Sequence, residues 1–205
     1  LQSDKYIEKL KQDVEKYSFK KQFQQIPIQR ENTAFTFEPN VQPEANIQRK
    51  IQTSDKQNFP LIVISSLLDN PINIGGIART CEIFNASLLY VEDISIKKQP
   101  QFQSQAVTAD QHLCIQELKA EQIEDKLNQL KQQGYQIVCL EQSQRSTYLQ
   151  DAALPEKCVI LMGNEVKGVP DQFLNMADIG VEIPQFGHVR SLNVHVSLSI
   201  LIWKH

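Results

Sequence analysis

Three stretches of this chain place Gly, Asn and a charged side chain where an apolar run gives way to helical sequence. The first, residues 70–80, holds Asn73, Gly75, Gly76 and Arg79. The second, residues 161–170, holds Gly163, Asn164 and Glu165. The third, residues 183–194, runs through Gly187, Ser191 and Asn193. In open α/β sheets, ligands bind beyond the carboxyl ends of the strands, so three such ends point to one composite site. It would offer a permanent cation, a carboxylate and several amides. Each residue also has a plainer reading. Asn73 is well suited to cap a helix. By position alone Arg79 would pair with Glu82 or Asp69, Glu165 would be an exposed loop acid, and Ser191 would cap the last helix. Asn193 has little propensity reason to sit in a first helical turn. His195 reads as structural rather than as a base.

The elements that must position these residues alternate. Strands are expected at 61–64, 87–91, 113–118, 135–140, 158–162 and 179–183. Helices are expected at 74–84, 120–133 (stopped by Gly134), 171–176 and 192–204, with 94–111 irregular. Such alternation implies a parallel sheet with helices on both faces. Ahead of it, residues 3–25 have helical spacing. Residues 26–58, punctuated by Pro27, Pro39 and Pro43, read as a linker whose Arg30, Arg49 and Lys50 would be solvated or touch phosphates. The expected division is therefore a helical extension and linker over 1–59 and a catalytic domain over 60–205. No GxGxxG follows the first strand, so the usual dinucleotide fingerprint is missing.

With 205 residues and 41% hydrophobic content, the chain can build a real core. No apolar run reaches the length of a membrane span and no signal peptide opens the chain, so no membrane partner is expected. The net charge is −3. Residues 1–59 carry ten Lys and Arg against eight Asp and Glu, while 60–205 carry eleven against sixteen. Binding of nucleic acid through bulk charge is thereby disfavoured, though a local basic patch is not. Cys81, Cys114, Cys139 and Cys158 form no CxxC pair and read as reduced thiols of a cytoplasmic protein, with a nuclear location as the alternative. His112 and His188 lack partners at ligand spacing, so no metal site is expected.

Together the three motifs resemble the SpoU-type RNA ribose methyltransferases of the SPOUT superfamily, over roughly Leu61 to His205. Asn73-Ile74-Gly75-Gly76 with Ala78-Arg79-Thr80-Cys81-Glu82, and Arg190 to Ser197, are closest to the eukaryotic branch that methylates guanosine 18 of tRNA. The resemblance implies a C-terminal trefoil knot, which hydrophobic patterning does not reveal, and a homodimer. It also implies S-adenosylmethionine as methyl donor and a tRNA ribose 2′-hydroxyl as acceptor. Arg79, Asn73, Glu165, Ser191 and Asn193 would be the catalytic set. Leu140 and Glu141 would reach the cofactor ribose, Gly163 and Asn164 would let backbone approach adenosine, and Ile183 and Leu192 would surround the adenine. Arg79 would act as a cation on the substrate phosphate and the developing 2′-oxyanion, since a guanidinium does not give up its proton.

Members of that branch are much longer proteins with this module at the end, and the chain, which does not open on Met, is expected to be a portion of one. Two positions depart from the pattern: Asn85 stands where Gly is usual, and Lys167 replaces a small or polar residue. Asn tolerates the left-handed conformation, so the turn at Asn85 should survive. The final helix carries Val194, Val196, Leu198, Leu201 and Trp203 on more than one side. That fits burial against both its own sheet and a partner, or full burial in a monomer. Alternative functions are the same chemistry on ribosomal RNA and a non-catalytic RNA-binding scaffold.

Overall fold

The run Leu61-Ile62-Val63-Ile64 is at most 5% exposed on either face, the mark of a strand inside a parallel sheet covered on both sides. It forms most of β1 (Phe59–Ile64). The computed structural model describes residues 58–143, 146–189 and 191–205. The helix expected over 3–25, nearly all of the linker and Arg190 lie outside the described residues.

Six further strands join β1: β2 (Ala86–Val91), β3 (Ile115–Glu117), β4 (Gln136–Leu140), β5 (Thr147–Tyr148), β6 (Cys158–Leu161) and β7 (Ile179–Glu182). The order is β3-β2-β1-β6-β4-β7-β5 and all pairings are parallel. The strand period of two splits the core into two layers. Leu61 and Val63 face a cluster with Ile74, Ile77, Phe102 and Leu198. Ile62 and Ile64 face Ile123, Leu127, Leu130 and Phe173. Each fully buried aliphatic side chain contributes roughly 1.5–3 kcal/mol of transfer free energy.

Among the described residues five helices cover these faces: α1 (Pro71–Ile83), α2 (Pro100–Ala106), α3 (Ile123–Gln132), α4 (Asp171–Leu174) and α5 (Val194–Lys204). Helix α1 begins three residues earlier than expected. Pro71 supplies a preset φ at the first turn, and the Asn70 side chain accepts a hydrogen bond from the Ile72 N–H at 2.9 Å. Asn70 is therefore the cap, and Asn73, the expected one, lies inside the helix. In α3, Ile123, Leu127 and Leu130 share one buried face, and Gly134 ends the element at φ 84°. Asn85 holds the turn after α1 at φ 58°, as its tolerance of that region allows.

Residues 94–111 are more ordered than expected. A 3₁₀ turn at Ile94–Lys98 is capped by Asp93, Pro100 opens α2, and a second 3₁₀ turn follows at Ala109–Gln111. Phe102 and Ala106, one turn apart, are buried against α1. Two apolar residues are too few to register as a helical period, which is why sequence reading leaves this segment irregular. The two-residue edge strand β5 escapes for the same reason.

The four cysteines are free thiols. Burial pushes Cys81, Cys139 and Cys158 up to about 12, leaving Cys114 exposed. Among the described residues no helix is long and apolar enough to cross a membrane, and no cluster of His, Cys, Asp or Glu could hold a metal ion.

Candidate active site

The carboxyl ends of β4, β6 and β7 open onto one cleft, closed on its remaining side by the start of α5. Its walls are Leu140, Glu141 and Gln142 after β4, Met162 to Val166 with Gly168 after β6, Glu182, Ile183 and Gln185 after β7, and Ser191 to Val194 with Ser197 at α5. The cavity holds about 450 Å³ and is open to solvent. Sites for drug-sized ligands run about 300–1,000 Å³, so a nucleoside fits.

All six residues expected to bind a cofactor line this cleft: Leu140, Glu141, Gly163, Asn164, Ile183 and Leu192. Three of them also do work within the protein. Gly163 is required by the protein's own packing: a Cβ there would lie 2.6 Å from both the Gly168 carbonyl carbon and the Val169 nitrogen. Asn164 organises the loop. Its side-chain oxygen accepts from the N–H groups of Val166 and Lys167, its amide donates to the Leu67 carbonyl at 3.3 Å, and its backbone exchanges two hydrogen bonds with Gly168. The Glu141 carboxylate accepts from the Val169 N–H at 2.9 Å and packs against Gly168, whose φ of 69° suits glycine. Glu141 thus holds the β6 loop down, a role that no sequence pattern announces.

Three of the expected catalytic residues form a single chain of hydrogen bonds across 120 residues of sequence. The Asn193 amide donates to Asn73 Oδ1 at 2.9 Å, and the Asn73 amide donates to Glu165 Oε1 at 2.6 Å. Asn193 Oδ1 also accepts from the His195 and Val196 N–H groups, so Asn193 is itself the cap of α5. One side chain therefore fixes the helix start and the polar chain together. Ser191 lies two residues before that cap and does not cap; it is exposed and faces the cleft. Arg79 projects from the second half of α1 and is exposed. Among the described residues it forms no ion pair with Glu82 or Asp69, so the plain surface-bridge reading fails. Asn73 and Arg79 do not line the cleft; they stand beside it on α1.

Asn73 is the node of this chain, buried at 7% exposure. Its partners Glu165 and Asn193 are exposed to water, so removing it costs the two hydrogen bonds themselves, each roughly 0.5–1.5 kcal/mol. Asn73→Ala and Asn193→Ala are therefore expected to be non-additive in denaturant unfolding, with a coupling of about 0.5–3 kcal/mol. Simple additivity would show the chain to be energetically empty.

The cleft's charge is one-sided. Glu141, Glu165 and Glu182 line it, and no Lys or Arg among the described residues does. Its apolar walls come from Leu140, Ile183 and Leu192. Such a cavity suits a ligand with a flat apolar base and a cationic centre, and S-adenosylmethionine has both.

The profile of the SpoU rRNA Methylase family matches residues 60–203. A mouse tRNA (guanosine(18)-2′-O)-methyltransferase, TARBP1, is 41% identical over 162 residues, which are 79% of this chain and 10% of the mouse protein. The Saccharomyces cerevisiae tRNA (guanosine(18)-2′-O)-methyltransferase is 39% identical over 143 residues, 69% of this chain and 10% of the yeast one. This chain thus spans a tenth of the length of those relatives. Among solved structures, the Aquifex aeolicus TrmH/SpoU tRNA modifying enzyme superposes with a TM-score of 0.65 at 27% identity, covering 73% of this chain and 75% of that one.

Proposed function

The chain belongs to the SpoU rRNA methylase family, and from that premise we propose that it transfers a methyl group from S-adenosylmethionine to a ribose 2′-hydroxyl of RNA, at guanosine 18 of the tRNA D-loop. The observation that carries this reading is the meeting of the acidic, apolar-walled cleft with the hydrogen-bonded Asn193–Asn73–Glu165 chain.

When bound, S-adenosylmethionine supplies a methyl group activated by its positively charged sulfur. Ile183, Leu192 and Leu140 would hold its base, and the carboxylates of the cleft would favour its positive charge. The Asn193–Asn73–Glu165 chain keeps the β6 loop, α1 and α5 in fixed register, so that a ribose entering beside Ser191 meets a rigid wall. Alignment of that kind lowers barriers by several kcal/mol. Arg79, permanently charged and without an ion pair among the described residues, would hold a phosphate and steady negative charge on the 2′-oxygen as its proton leaves to solvent.

Further parts of the reading follow. Residues 60–205 would be the catalytic domain and 1–59 a helical extension with a linker. A trefoil knot is supported by the strand order: β7 lies outside β4, yet α5, which follows it, packs on α1. A homodimer is supported by α5, which buries Leu198, Leu201 and Ile202 while leaving Val196, Ile200 and Trp203 exposed. Free thiols are compatible with a cytoplasmic protein.

The test is transfer of labelled methyl to unmodified total tRNA and, separately, to ribosomal RNA, followed by mapping of the modified nucleotide. Label at guanosine 18 is the expected result. Label confined to ribosomal RNA would move the substrate, and cofactor binding without transfer to either RNA would favour the scaffold.

A further inference from the structure

Helix α1 meets α5 along the stripe Asn73, Gly76 and Thr80. Asn73 bonds Asn193. At Gly76 the helices come so close that a Cβ would lie 2.4 Å from Nδ1 of His195. At Thr80 a polar ring forms. Thr80 Oγ1 is 3.0 Å from His195 Nε2 and 3.0 Å from Ser199 Oγ, and Ser199 Oγ donates to the His195 carbonyl at 2.9 Å.

Proton counting assigns the ring. Each hydroxyl has one proton to donate. The Ser199 proton goes to the His195 carbonyl, so the Thr80 proton goes to Ser199. The Thr80 oxygen can then only accept from His195, so Nε2 carries a hydrogen. Nδ1, which faces Gly76, has no partner among the described residues. A second proton there would meet no acceptor and would add charge near Arg79. Burial first, and the field of Arg79 second, hold the imidazole below its ordinary value of 6.5. Thr80 and Ser199, the other groups of the ring, are neutral.

We propose that His195 is a positioning residue for methyl transfer: as the neutral Nε2–H tautomer it closes a ring with Thr80 and Ser199 that holds the Arg79 turn of α1 in register with the Asn193 end of α5, and its protonation loosens that register. Arg79 adjoins Thr80 and Asn193 lies two residues before His195. The Asn73–Asn193 bond fixes the start of α1, while the ring fixes the turn that bears Arg79. The inference rests on the methyltransferase reading for its consequence but not for the ring itself.

Two measurements separate them. Imidazole ¹⁵N NMR of the full chain at neutral pH reads the tautomer without any activity. A Nε2–H signal that is perturbed in Thr80→Val is expected; a Nδ1–H tautomer or a protonated ring would overturn the proposal. In the transfer assay, His195→Phe should lower kcat between about 10- and 100-fold with S-adenosylmethionine affinity unchanged. His195→Gln, whose amide can donate without titrating, should recover most of that rate. The wild-type rate should fall with acid below 6.5 as the ring protonates, and this limb should flatten in His195→Gln. Full kcat in His195→Phe, or equal losses in Phe and Gln variants that still bind cofactor, would sink it. Absence of transfer by the wild type would overturn the proposed function, and the NMR result would still decide the ring.

Discussion

Replacing Arg79 with Ala is expected to reduce methyl transfer by on the order of 10²–10³-fold, the usual cost of removing one charge-stabilising donor from a transition state, while leaving fold and cofactor affinity intact. Three observations separate the two effects. Arg79 is exposed, so truncation opens no cavity. It forms no ion pair among the described residues, so no buried charge is orphaned. It is not among the residues lining the cleft, so S-adenosylmethionine binding by calorimetry should change by less than about twofold, under 0.5 kcal/mol. Arg79→Lys keeps the charge and loses the planar fork, and should recover only part of the rate. The sharper prediction is the pattern across constants. If Arg79 both grips phosphate and stabilises the 2′-oxygen, kcat falls and the KM for RNA rises together. A rise in KM alone would reduce it to a docking residue, and unchanged kcat/KM would remove it from the site.

Much of this site was legible in sequence because its residues come from strand ends. Asn73, Glu165 and Asn193 each follow an apolar run at a strand-to-helix boundary, and the sheet necessarily brings such boundaries to one edge. Sequence could not say that these three bond one another, since 92 and 120 residues separate the partners. It also misjudged which Asn caps which helix. Pro71 makes Asn70 the cap of α1, and Asn193 caps α5 although its first-turn position had argued for a purely functional role. Glu141 and His195 were hidden for another reason. Glu141 acts by holding Val169, and His195 by closing a ring with Thr80 and Ser199; in each case the meaning lies in partners that only packing supplies. The same holds for Gly75 and Gly76. In sequence they are too weak to replace the missing dinucleotide fingerprint, and in the fold they are contact points at which Cβ atoms would strike Phe102 and His195.

Gly163→Ala should be the most damaging single methyl group that can be added to the cleft. Its Cβ would meet backbone on two sides, the Gly168 carbonyl carbon and the Val169 nitrogen, and Val169 Cγ2 at 2.8 Å. Backbone in a loop pinned at both ends cannot step aside as a flexible side chain would. Relief requires the loop to open, and three features depend on its being closed: the paired Asn164 and Gly168 bonds, the Val169 N–H to Glu141 bond, and the seating of Glu165 on Asn73. Overpacking of this kind costs about 1–3 kcal/mol, or a fall in Tm of roughly 2–4 °C for each kcal/mol in a chain of this size. The loss of S-adenosylmethionine affinity should be larger in proportion, about 100-fold, or 2.7 kcal/mol, because the same loop forms one wall of the cleft. Gly187→Ala provides the contrast. Nothing lies within 4 Å of a Cβ at Gly187, so both Tm and cofactor affinity should stay at wild-type values although Gly187 belongs to the third motif. Calorimetry and thermal unfolding of the two variants side by side would decide the matter: equal behaviour would mean that the β6 loop adapts, and that the cleft is not built on its closure.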